Sequence, residues 1–381
     1  MSAFDLDHPD RRRDAGEPIQ TLAVIGAGAW GTALAVIAAQ AGRDVRLHAR
    51  REDHAAAMRA ERRNAQRLPE AMLPDNLHPT SDLREAVHGA DAAIIATPTS
   101  AVRETARALS AHLAPGAGVC LAAKGIEVGS GKLMSQVAAE ELPANPVAAL
   151  SGPNFAGEAA TGHPTAATIA SDCGPDFDRR PETTLAARLA VALGTESFRP
   201  YVSDDLPGVE TGGALKNVLA IACGIAVGAG FGENTRAALI TRGLDEMKAL
   251  AEPLGGRRET VTGLAGIGDL ALTCSSPTSR NMRLGLQLGE GRSRAECFDG
   301  KPMVVEGERS ALSATDLARA HGVHLPISEA VRGILHEGVP IPETFAKLWA
   351  SPLEAEPRRL DLKIAHPAAA EAAEHFAERM G

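Results

Sequence analysis

The chain of 381 residues has few aromatic residues and no excess of basic ones. Phe, Trp and Tyr make up 3% of the sequence, and 39 Lys and Arg stand against 48 Asp and Glu, a formal net charge of −9 at pH 7. Nucleic-acid-binding proteins need a basic surface and, for single strands, aromatic stacking platforms. We therefore predict no nucleic-acid partner. An anionic ligand must be held by local positive charge, helix N-termini or backbone N–H groups.

Cysteine pairs, a secretory signal and long apolar runs are also absent. No CxxC, HxxxH or HExxH motif occurs, which argues against a disulfide framework or a metal site. The first 18 residues are polar and charged, which predicts a cytoplasmic protein. The nearest candidate for a membrane span, 217–231, is shorter than the ~18–20 residues needed and carries three glycines. It is typical of a packed interior helix, and we predict no integral membrane segment. The five cysteines are Cys120, Cys173, Cys223, Cys274 and Cys297.

The length and an apolar share of 44% allow two domains with sizeable cores. Short apolar runs alternate with helical patterns in the first half, and this alternation predicts an α/β domain with a doubly wound parallel sheet over 19–204. Strands are predicted at 21–25, 44–49, 91–96, 118–123 and 147–150. After about residue 203, Ala/Leu/Gly-rich stretches with helical spacing predict an all-α domain over 205–350. Residues 1–18 are predicted to be a flexible extension and 351–381 a terminal tail.

The first predicted strand ends at a glycine motif of the pattern GxGxxG, Gly26-Ala27-Gly28-Ala29-Trp30-Gly31. Gly26 permits a tight turn, Gly28 lets the backbone approach a pyrophosphate, and Gly31 lets the following helix pack on the strand. The pyrophosphate would lie at the N-terminus of that helix. The strand before and the helix after favour a dinucleotide-binding domain over a glycine-rich turn without a ligand.

The end of the second predicted strand indicates which dinucleotide is bound. NAD-binding folds place an acidic residue about 20 residues after the glycine motif, where it bonds the ribose 2′-OH. This chain has Arg50 and Arg51 there, which can pair with a 2′-phosphate, so NADP(H) is favoured. Glu52 and Asp53 follow at once, and they could bond the ribose of NAD(H), so use of NAD(H) stays open. The alternative that Arg50 and Arg51 are solvated and bind no ligand also stays open.

Two later strands also end in polar residues. In doubly wound sheets, ligands bind at the carboxyl ends of the strands. Lys124 and the turn Gly152-Pro153-Asn154 follow predicted strands and are therefore candidate ligand contacts. The alternatives are a surface lysine and an ordinary turn.

Lys216 and Asn217 interrupt an apolar, glycine-flanked helix in the second half. A lysine in that setting either lines a site, where it can serve as an acid or base, or extends to the surface.

A second polar group follows in the same half. Asp269 comes after the glycine-rich stretch 263–268. Ser279 is a predicted N-cap, with Arg280 and Asn281 in the first helical turn. That arrangement suits a phosphate group, although a capped helix with a surface arginine has the same sequence pattern.

The chain resembles the bacterial NAD(P)-dependent glycerol-3-phosphate dehydrogenases in a series of motifs between about residues 20 and 345: GAGAWGTALA, AAKG, SGPNFAGE, GGALKNV, GENTRAALITRGLDEM, LAGIGDL, TSRNMRLG and VVEG. The resemblance implies an N-terminal Rossmann-like dinucleotide-binding domain and an all-α C-terminal substrate domain. It implies the reversible, NAD(P)H-dependent reduction of dihydroxyacetone phosphate to sn-glycerol 3-phosphate, the backbone of phospholipids. The only partner implied is a small-molecule substrate, and a homodimer is left open.

Roles at matching positions are implied by the same resemblance. Lys216 matches the catalytic proton donor and acceptor. Substrate contacts match Lys124, Gly152, Asn154, Lys216, Asp269, Ser279, Arg280 and Asn281. Cofactor contacts match Ala29, Trp30, Arg50, Arg51, Lys124, Ala156, Arg280, Val304 and Glu306, beside the motif glycines Gly26, Gly28 and Gly31. Asn217 and Thr273 match further polar residues of the site. Asn154 departs from the family pattern, which has Thr or Ser there.

Two other functions compete with this one. A related two-domain reductase would act on another substrate, such as a hydroxy acid or ketopantoate, and the phosphate-binding pattern at 279–281 argues against it. A non-catalytic nucleotide sensor would keep the fold without the chemistry. The presence of Lys124, Lys216 and Asp269 together argues against that.

Overall fold

A computed structural model describes residues 17–172, 180–352, 355–356, 364–371 and 374. The predicted extension, apart from residues 17 and 18, lies outside the described residues, as do Cys173 and much of the predicted tail.

The described chain contains one large sheet. The strands of the described chain are β1 Thr21–Ile25, β2 Asp44–His48, β3 Arg63–Asn64, β4 Leu68–Met72, β5 Leu77–Thr80, β6 Ala92–Ile95, β7 Gly118–Leu121, β8 Val147–Ser151, β9 Thr165–Ser171 and β10 Phe198–Ser203. Eight of them form the large sheet in the order β10-β9-β8-β7-β6-β1-β2-β5, and all neighbours are parallel except β8 and β9. A separate antiparallel pair is formed by β3 and β4.

Helices connect these strands and predominate in the described chain after β10. Between the strands they are Ala29–Gln40, Glu52–Glu61, Leu83–Val87, Val102–Ser110, Met134–Glu141, Ala156–Ala160 and Leu185–Leu193. After β10 they are Leu206–Gly228, Glu233–Ala251, Arg258–Val261, Asp269–Ser275, Arg280–Gly289, Glu306–Ala320, Pro326–His336 and Ile341–Trp349, with a π-helical turn at Leu264–Gly268. No strand occurs between 206 and 349, all of which is described, in agreement with the predicted fold class of an α/β part followed by an all-α part.

The central strands are apolar because both faces of the sheet are covered. In β1, Leu22 and Val24 pack into one buried cluster, and Ala23 and Ile25 pack into another. Successive side chains of a strand point to opposite faces, so the two clusters lie on opposite sides of the sheet. Each buried Leu, Ile or Val contributes about 1.5–3 kcal/mol to folding. This is the doubly wound arrangement that the sequence predicts, with one antiparallel pair added.

The helix Leu206–Gly228 carries Lys216 and packs very closely on Arg280–Gly289. A Cβ at Gly224 would lie 2.2 Å from the carbonyl oxygen of Met282, and one at Gly228 would lie 2.1 Å from that of Leu286. The helix is long and apolar enough to cross a membrane, with a mean hydropathy of 1.4, but 89% of the apolar window is buried. The prediction of a packed interior helix is confirmed, although the helix begins earlier than residue 217.

A buried carboxylate fixes the first part of the same helix. Glu210 accepts hydrogen bonds from the backbone N–H of Ser135, at 2.8 Å, and from the Ser135 hydroxyl. These groups lie at the start of the helix Met134–Glu141, where backbone N–H groups lack partners within the helix. Burial raises the pKa of Glu210 to about 7. Glu210 therefore ties the segment before Lys216 to the α/β region.

Contacts between Cα atoms divide the chain into two units. The first comprises the described residues up to Gly213 and Leu254–Asp269, and the second comprises Ala214–Pro253 and the described residues from Leu270 onward.

Candidate active site

The glycine motif forms a tight loop between β1 and the helix Ala29–Gln40. Gly26 has a φ of +115°, and a Cβ there would lie 2.9 Å from the carbonyl oxygen of Ala96. A Cβ at Gly31 would lie 2.0 Å from the carbonyl oxygen of Gly26. Both positions therefore require glycine, for the backbone conformation and the close packing respectively. A Cβ at Gly28 would instead enter open space, so at Gly28 the backbone is accessible to a ligand.

The helix that follows Gly28 is suited to an anion. Gly28 is its N-cap residue, and no described side chain caps the first turn. The first backbone N–H groups of a helix have no partner within the helix and attract phosphate. The indole Nε1 of Trp30 is also buried without a hydrogen-bond partner among the described residues. Trp30 and Ala156 pack against the same small buried cluster, so the structure brings these two predicted cofactor contacts together. These features fit a dinucleotide.

The two arginines after β2 are exposed and close to acidic residues. Arg51 forms an ion pair with Asp53, with 3.2 Å between Nε and Oδ1, and Arg50 makes no ion pair with any described residue. The hydroxyl of Ser81 and the guanidinium of Arg59 bond to the Glu52 carboxylate and hold the pKa of that carboxyl below its usual range. Both acidic residues that could serve a ribose 2′-OH therefore already have partners.

Lys124 and Asp269 form a buried ion pair in the first unit. The Lys124 Nζ donates to Oδ2 of Asp269 at 2.7 Å and to the carbonyl oxygen of Gly152 at 3.0 Å. The side chains of Lys124 and Asp269 are 15% and 1% exposed. A Cβ at Gly213 would lie 3.4 Å from Cγ of Lys124, so the lysine stem packs against the backbone there. Lys124 is thus a partly buried, paired cation and not a solvated surface lysine.

The turn after β8 leaves a buried oxygen available. Gly152 has a φ of +154°, and a Cβ there would lie 2.9 Å from the Cα of Ala167. Asn154 donates from Nδ2 to the carbonyl oxygen of Ala166 at 3.3 Å, while its Oδ1 is buried without a partner among the described residues. Asn154 thus presents a hydrogen-bond acceptor to a ligand.

Lys216 lies in the second unit and is also buried. It is 8% exposed, and its Nζ donates to the hydroxyl oxygen of Thr273 at 3.0 Å. Thr273 is 3% exposed and lies in the helix Asp269–Ser275. A buried ammonium beside a hydroxyl group is an arrangement that can hold and release a proton at a fixed position.

A chain of hydrogen bonds orients the neighbouring amides. The backbone N–H of Gly307 donates to Oδ1 of Asn281 at 2.9 Å, and Nδ2 of Asn281 donates to Oδ1 of Asn217 at 2.9 Å. Because Oδ1 of Asn217 already accepts, its Nδ2 group is left as the donor toward a ligand. A Cβ at Gly307 would lie 2.7 Å from Oδ1 of Asn281, so only glycine fits this position without a shift.

The helix predicted to begin after Ser279 is present. Ser279 caps it, its Oγ accepting from the N–H of Met282 at 3.2 Å, and the helix begins at Arg280 as predicted. Arg280 donates from Nη1 to the carbonyl oxygen of the exposed Val304 at 2.9 Å. Two residues on, Glu306 begins the helix Glu306–Ala320. The structure thus brings Arg280 to the segment 304–306.

The predicted residues therefore fall into two sets, one in each unit. The first unit holds Gly26, Gly28, Ala29, Trp30, Gly31, Arg50, Arg51, Lys124, Gly152, Asn154, Ala156 and Asp269. The second holds Lys216, Asn217, Thr273, Ser279, Arg280, Asn281, Val304 and Glu306. Sequence reasoning did not single out Gly307 or Asn64. Gly307 is the last residue of the VVEG motif, so that motif pointed to it, and nothing in the sequence pointed to Asn64.

Two family models match the chain in succession. The N-terminal model of the NAD-dependent glycerol-3-phosphate dehydrogenases matches residues 21–175, and the C-terminal model matches residues 205–346. The chain belongs to the NAD-dependent glycerol-3-phosphate dehydrogenase family. The family resemblance drawn from the motifs is confirmed.

Individual members of the glycerol-3-phosphate dehydrogenase family are similar over nearly their whole length. The NAD(P)+ enzyme of Rhodospirillum rubrum is 46% identical over 341 residues, which is 89% of this chain and 94% of that one. The crystal structure of the Coxiella burnetii enzyme has a TM-score of 0.80 at 38% identity and covers 87% of this chain and 99% of its own. The Saccharomyces cerevisiae enzyme has a TM-score of 0.76 at 27% identity, with the same coverage. The predicted fold class is thereby confirmed.

Proposed function

We propose that this protein reduces dihydroxyacetone phosphate to sn-glycerol 3-phosphate with NADPH or NADH, reversibly, and that Lys216 transfers the proton. The observation that carries the proposal is the buried Lys216 ammonium, held by the Thr273 hydroxyl, in a chain 46% identical to an enzyme named for this reaction. Residues 19–204 serve as the dinucleotide-binding domain and 205–350 as the substrate domain.

The dinucleotide is held by the glycine loop. The residues that would hold its pyrophosphate are Gly26, Gly28, Ala29, Trp30 and Gly31, and the helix N-terminus would stabilise the phosphate charge. By the family resemblance, Ala156, Val304 and Glu306 would make further cofactor contacts, and Arg50 and Arg51 would bind the 2′-phosphate of NADP(H). When bound, the cofactor supplies the hydride.

Lys216 stabilises the negative charge that the reaction creates and transfers the proton. Reduction of a ketone places negative charge on its oxygen, and a cationic Lys216 stabilises that oxygen and then gives its Nζ proton to it, forming the alcohol. In the reverse direction the neutral amine of Lys216 accepts the hydroxyl proton. Lys124 adds positive electrostatic potential, and Asp269 fixes the orientation of the Lys124 side chain through the 2.7 Å ion pair.

Polar groups of the capped helix hold the substrate phosphate. Ser279, Arg280 and Asn281 occupy the start of Arg280–Gly289, where backbone N–H groups and a guanidinium favour a dianion. The hydroxyl and carbonyl groups of the substrate form hydrogen bonds with Gly152, Asn154 and Asn217. Such anchoring fixes the reacting carbon in place before chemistry.

We place the reaction in the cytoplasm, where it supplies the glycerol phosphate backbone of phospholipids. The long apolar helix is buried within the protein, which supports an enzyme that does not span the membrane.

A single assay tests the function against its competitors. NADPH absorbance is followed with dihydroxyacetone phosphate, with 2-ketopantoate and with no ketone. We expect turnover with dihydroxyacetone phosphate alone. Faster turnover with 2-ketopantoate would identify a related reductase, and NADPH binding without turnover of either ketone would identify a sensor.

Cofactor preference is tested by removing both arginines after β2. The double variant Arg50→Ala, Arg51→Ala should raise KM for NADPH about 10–100-fold, because a charge-assisted hydrogen bond contributes about 1.5–3 kcal/mol. KM for NADH should change far less. The exposed Arg84, changed to alanine, controls for loss of surface charge. Equal losses for both cofactors would contradict the assignment.

The phosphate assignment is tested at Arg280. Arg280→Ala should raise KM for dihydroxyacetone phosphate about 10–100-fold and leave turnover of unphosphorylated dihydroxyacetone nearly unchanged. Inorganic phosphate should compete with substrate in the parent enzyme. The exposed Arg292 provides the matched arginine-to-alanine control. If turnover of both ketones falls equally, Arg280 serves the segment 304–306 and the cofactor instead.

A further inference from the structure

Asn64 is a fully buried amide beneath the glycine loop. It lies in the short strand Arg63–Asn64 and is 0% exposed. Its Nδ2 donates to the carbonyl oxygen of Ala27 at 3.1 Å and to the hydroxyl oxygen of Thr32 at 2.8 Å. Its Oδ1 lies 2.9 Å from Nε2 of His54. All of these residues belong to the first unit.

The hydrogen-bond network fixes which way this amide faces. The carbonyl oxygen of Ala27 can only accept, so the amide nitrogen of Asn64 must face it. The oxygen of Asn64 then faces His54, and an amide oxygen can only accept. His54 must therefore carry a proton on Nε2 and donate it, and this donation holds Asn64 in the orientation that serves Ala27.

The two acceptors of Asn64 lie on either side of the loop's turn. Ala27 stands between Gly26 and Gly28, and Thr32 lies in the first turn of the helix Ala29–Gln40. Glycine gives the backbone more accessible conformations than other residues do. Since Gly26 and Gly28 have no side chains to pack, the conformation of the loop must be restricted by other groups. The bridge from Ala27 to Thr32 through one buried amide supplies that restriction.

We propose that Asn64, oriented by His54, is a positioning residue that holds the glycine loop in the conformation that binds the cofactor pyrophosphate. The inference rests on the proposed function in that a dinucleotide occupies this loop. When a binding-competent conformation is only a fraction of the population, the apparent dissociation constant rises by the inverse of that fraction. Loss of the bridge should therefore weaken cofactor binding with little effect on the substrate.

The test is direct titration of the purified full-length chain with NADPH, followed by the fluorescence of the nicotinamide. Asn64→Asp keeps the shape but cannot donate to Ala27, and it should raise the NADPH dissociation constant about 10-fold or more. KM for dihydroxyacetone phosphate at saturating NADPH should stay within about 2-fold of the parent. His54→Ala should weaken NADPH binding by a smaller factor, about 3-fold, and His54→Gln, which restores an N–H donor, should bind as the parent does.

The chain offers a matched control at the other end of the same helix. Nδ2 of Asn76 donates to the carbonyl oxygens of Ala39 and Arg43, each at 2.8 Å. Like Asn64, it therefore bridges two acceptors through one amide nitrogen, but away from the loop. Asn76→Asp should lower the thermal midpoint of unfolding comparably and leave the NADPH dissociation constant unchanged.

Several results would overturn the inference. One is a folded Asn64→Asp protein that binds NADPH as the parent does, and another is an equal weakening in Asn76→Asp. If Asn64→Asp does not fold, the variants His54→Ala and His54→Gln test the proposal instead. Equal NADPH binding by His54→Ala and the parent would then contradict it. A parent chain that binds no NADPH overturns both the inference and the proposed function. A parent that binds NADPH without reducing dihydroxyacetone phosphate overturns the proposed function alone.

Discussion

Replacing Lys216 by alanine is expected to lower kcat about 10²–10⁴-fold, the usual contribution of a positioned acid or base, and to leave NADPH binding intact. The glycine loop, which we propose to hold the cofactor, lies in the other unit of the chain, so we expect the substitution to leave it unaltered. Lys216→Arg should not restore activity, because a guanidinium does not release its proton near neutral pH. The measurement is steady-state kinetics in both directions, together with an NADPH titration of each variant.

Controls separate the proton role of Lys216 from its packing. Lys216 is 8% exposed, so Lys216→Met, which keeps most of the apolar stem, guards against a cavity effect. The exposed Lys301, changed to alanine, should retain parental kcat. In the oxidation direction the pH profile should lose one limb, because the neutral amine is the reactive form there. A Lys216→Ala enzyme with near-parental kcat and an unchanged pH profile would show that the proton comes from elsewhere, and Lys124 would be the next residue to test.

The strands that could be predicted are those buried on both faces. Five strands of the main sheet were predicted within two residues at each end: β1, β2, β6, β7 and β8. Each is either a short apolar run or, as in β2, alternates buried apolar residues with polar ones. β10 was missed because it is an edge strand: Tyr201 and Val202 are exposed, and Pro200 argues against a strand interior. β4 contains a proline as well and lies outside the main sheet. Edge strands lack the continuous apolar pattern on which the prediction depends.

The candidate site residues could be predicted because most of them lie in short motifs. Their partners could not, since the partners are distant in the sequence. Lys124 meets Asp269 across 145 positions, and Asn64 meets the glycine loop across 37. A local pattern carries no information about such pairings, which only the folded topology determines. Arg51 and Asp53 show the same limit at short range, because the sequence offered both as ribose contacts and the structure pairs them with each other.

Replacing Asp269 by asparagine is expected to lower kcat/KM about 100-fold or more, because it leaves the Lys124 ammonium without its carboxylate. The two side chains meet at 2.7 Å, and the carboxylate is 1% exposed. Breaking such a buried pair by removing one partner costs about 3–5 kcal/mol, far more than a surface pair is worth. The loss should divide between the free energy of unfolding and the positioning of Lys124. Denaturant unfolding and steady-state kinetics on the same variant measure the two parts.

A double-mutant cycle shows whether Asp269 acts on the substrate through Lys124. The double variant Lys124→Met, Asp269→Asn should be no less active than the worse single variant, because the effects of substituting two residues that act as a unit do not add. Asp204→Asn is the matched control, because Asp204 pairs with Arg257 at an exposed position and its loss should cost about 1 kcal/mol or less. An Asp269→Asn enzyme that is less stable but keeps parental kcat/KM would contradict a role in the reaction. The pair would then serve only to hold Asp269 against the residues that follow β7, and Lys124 would need no fixed direction for catalysis.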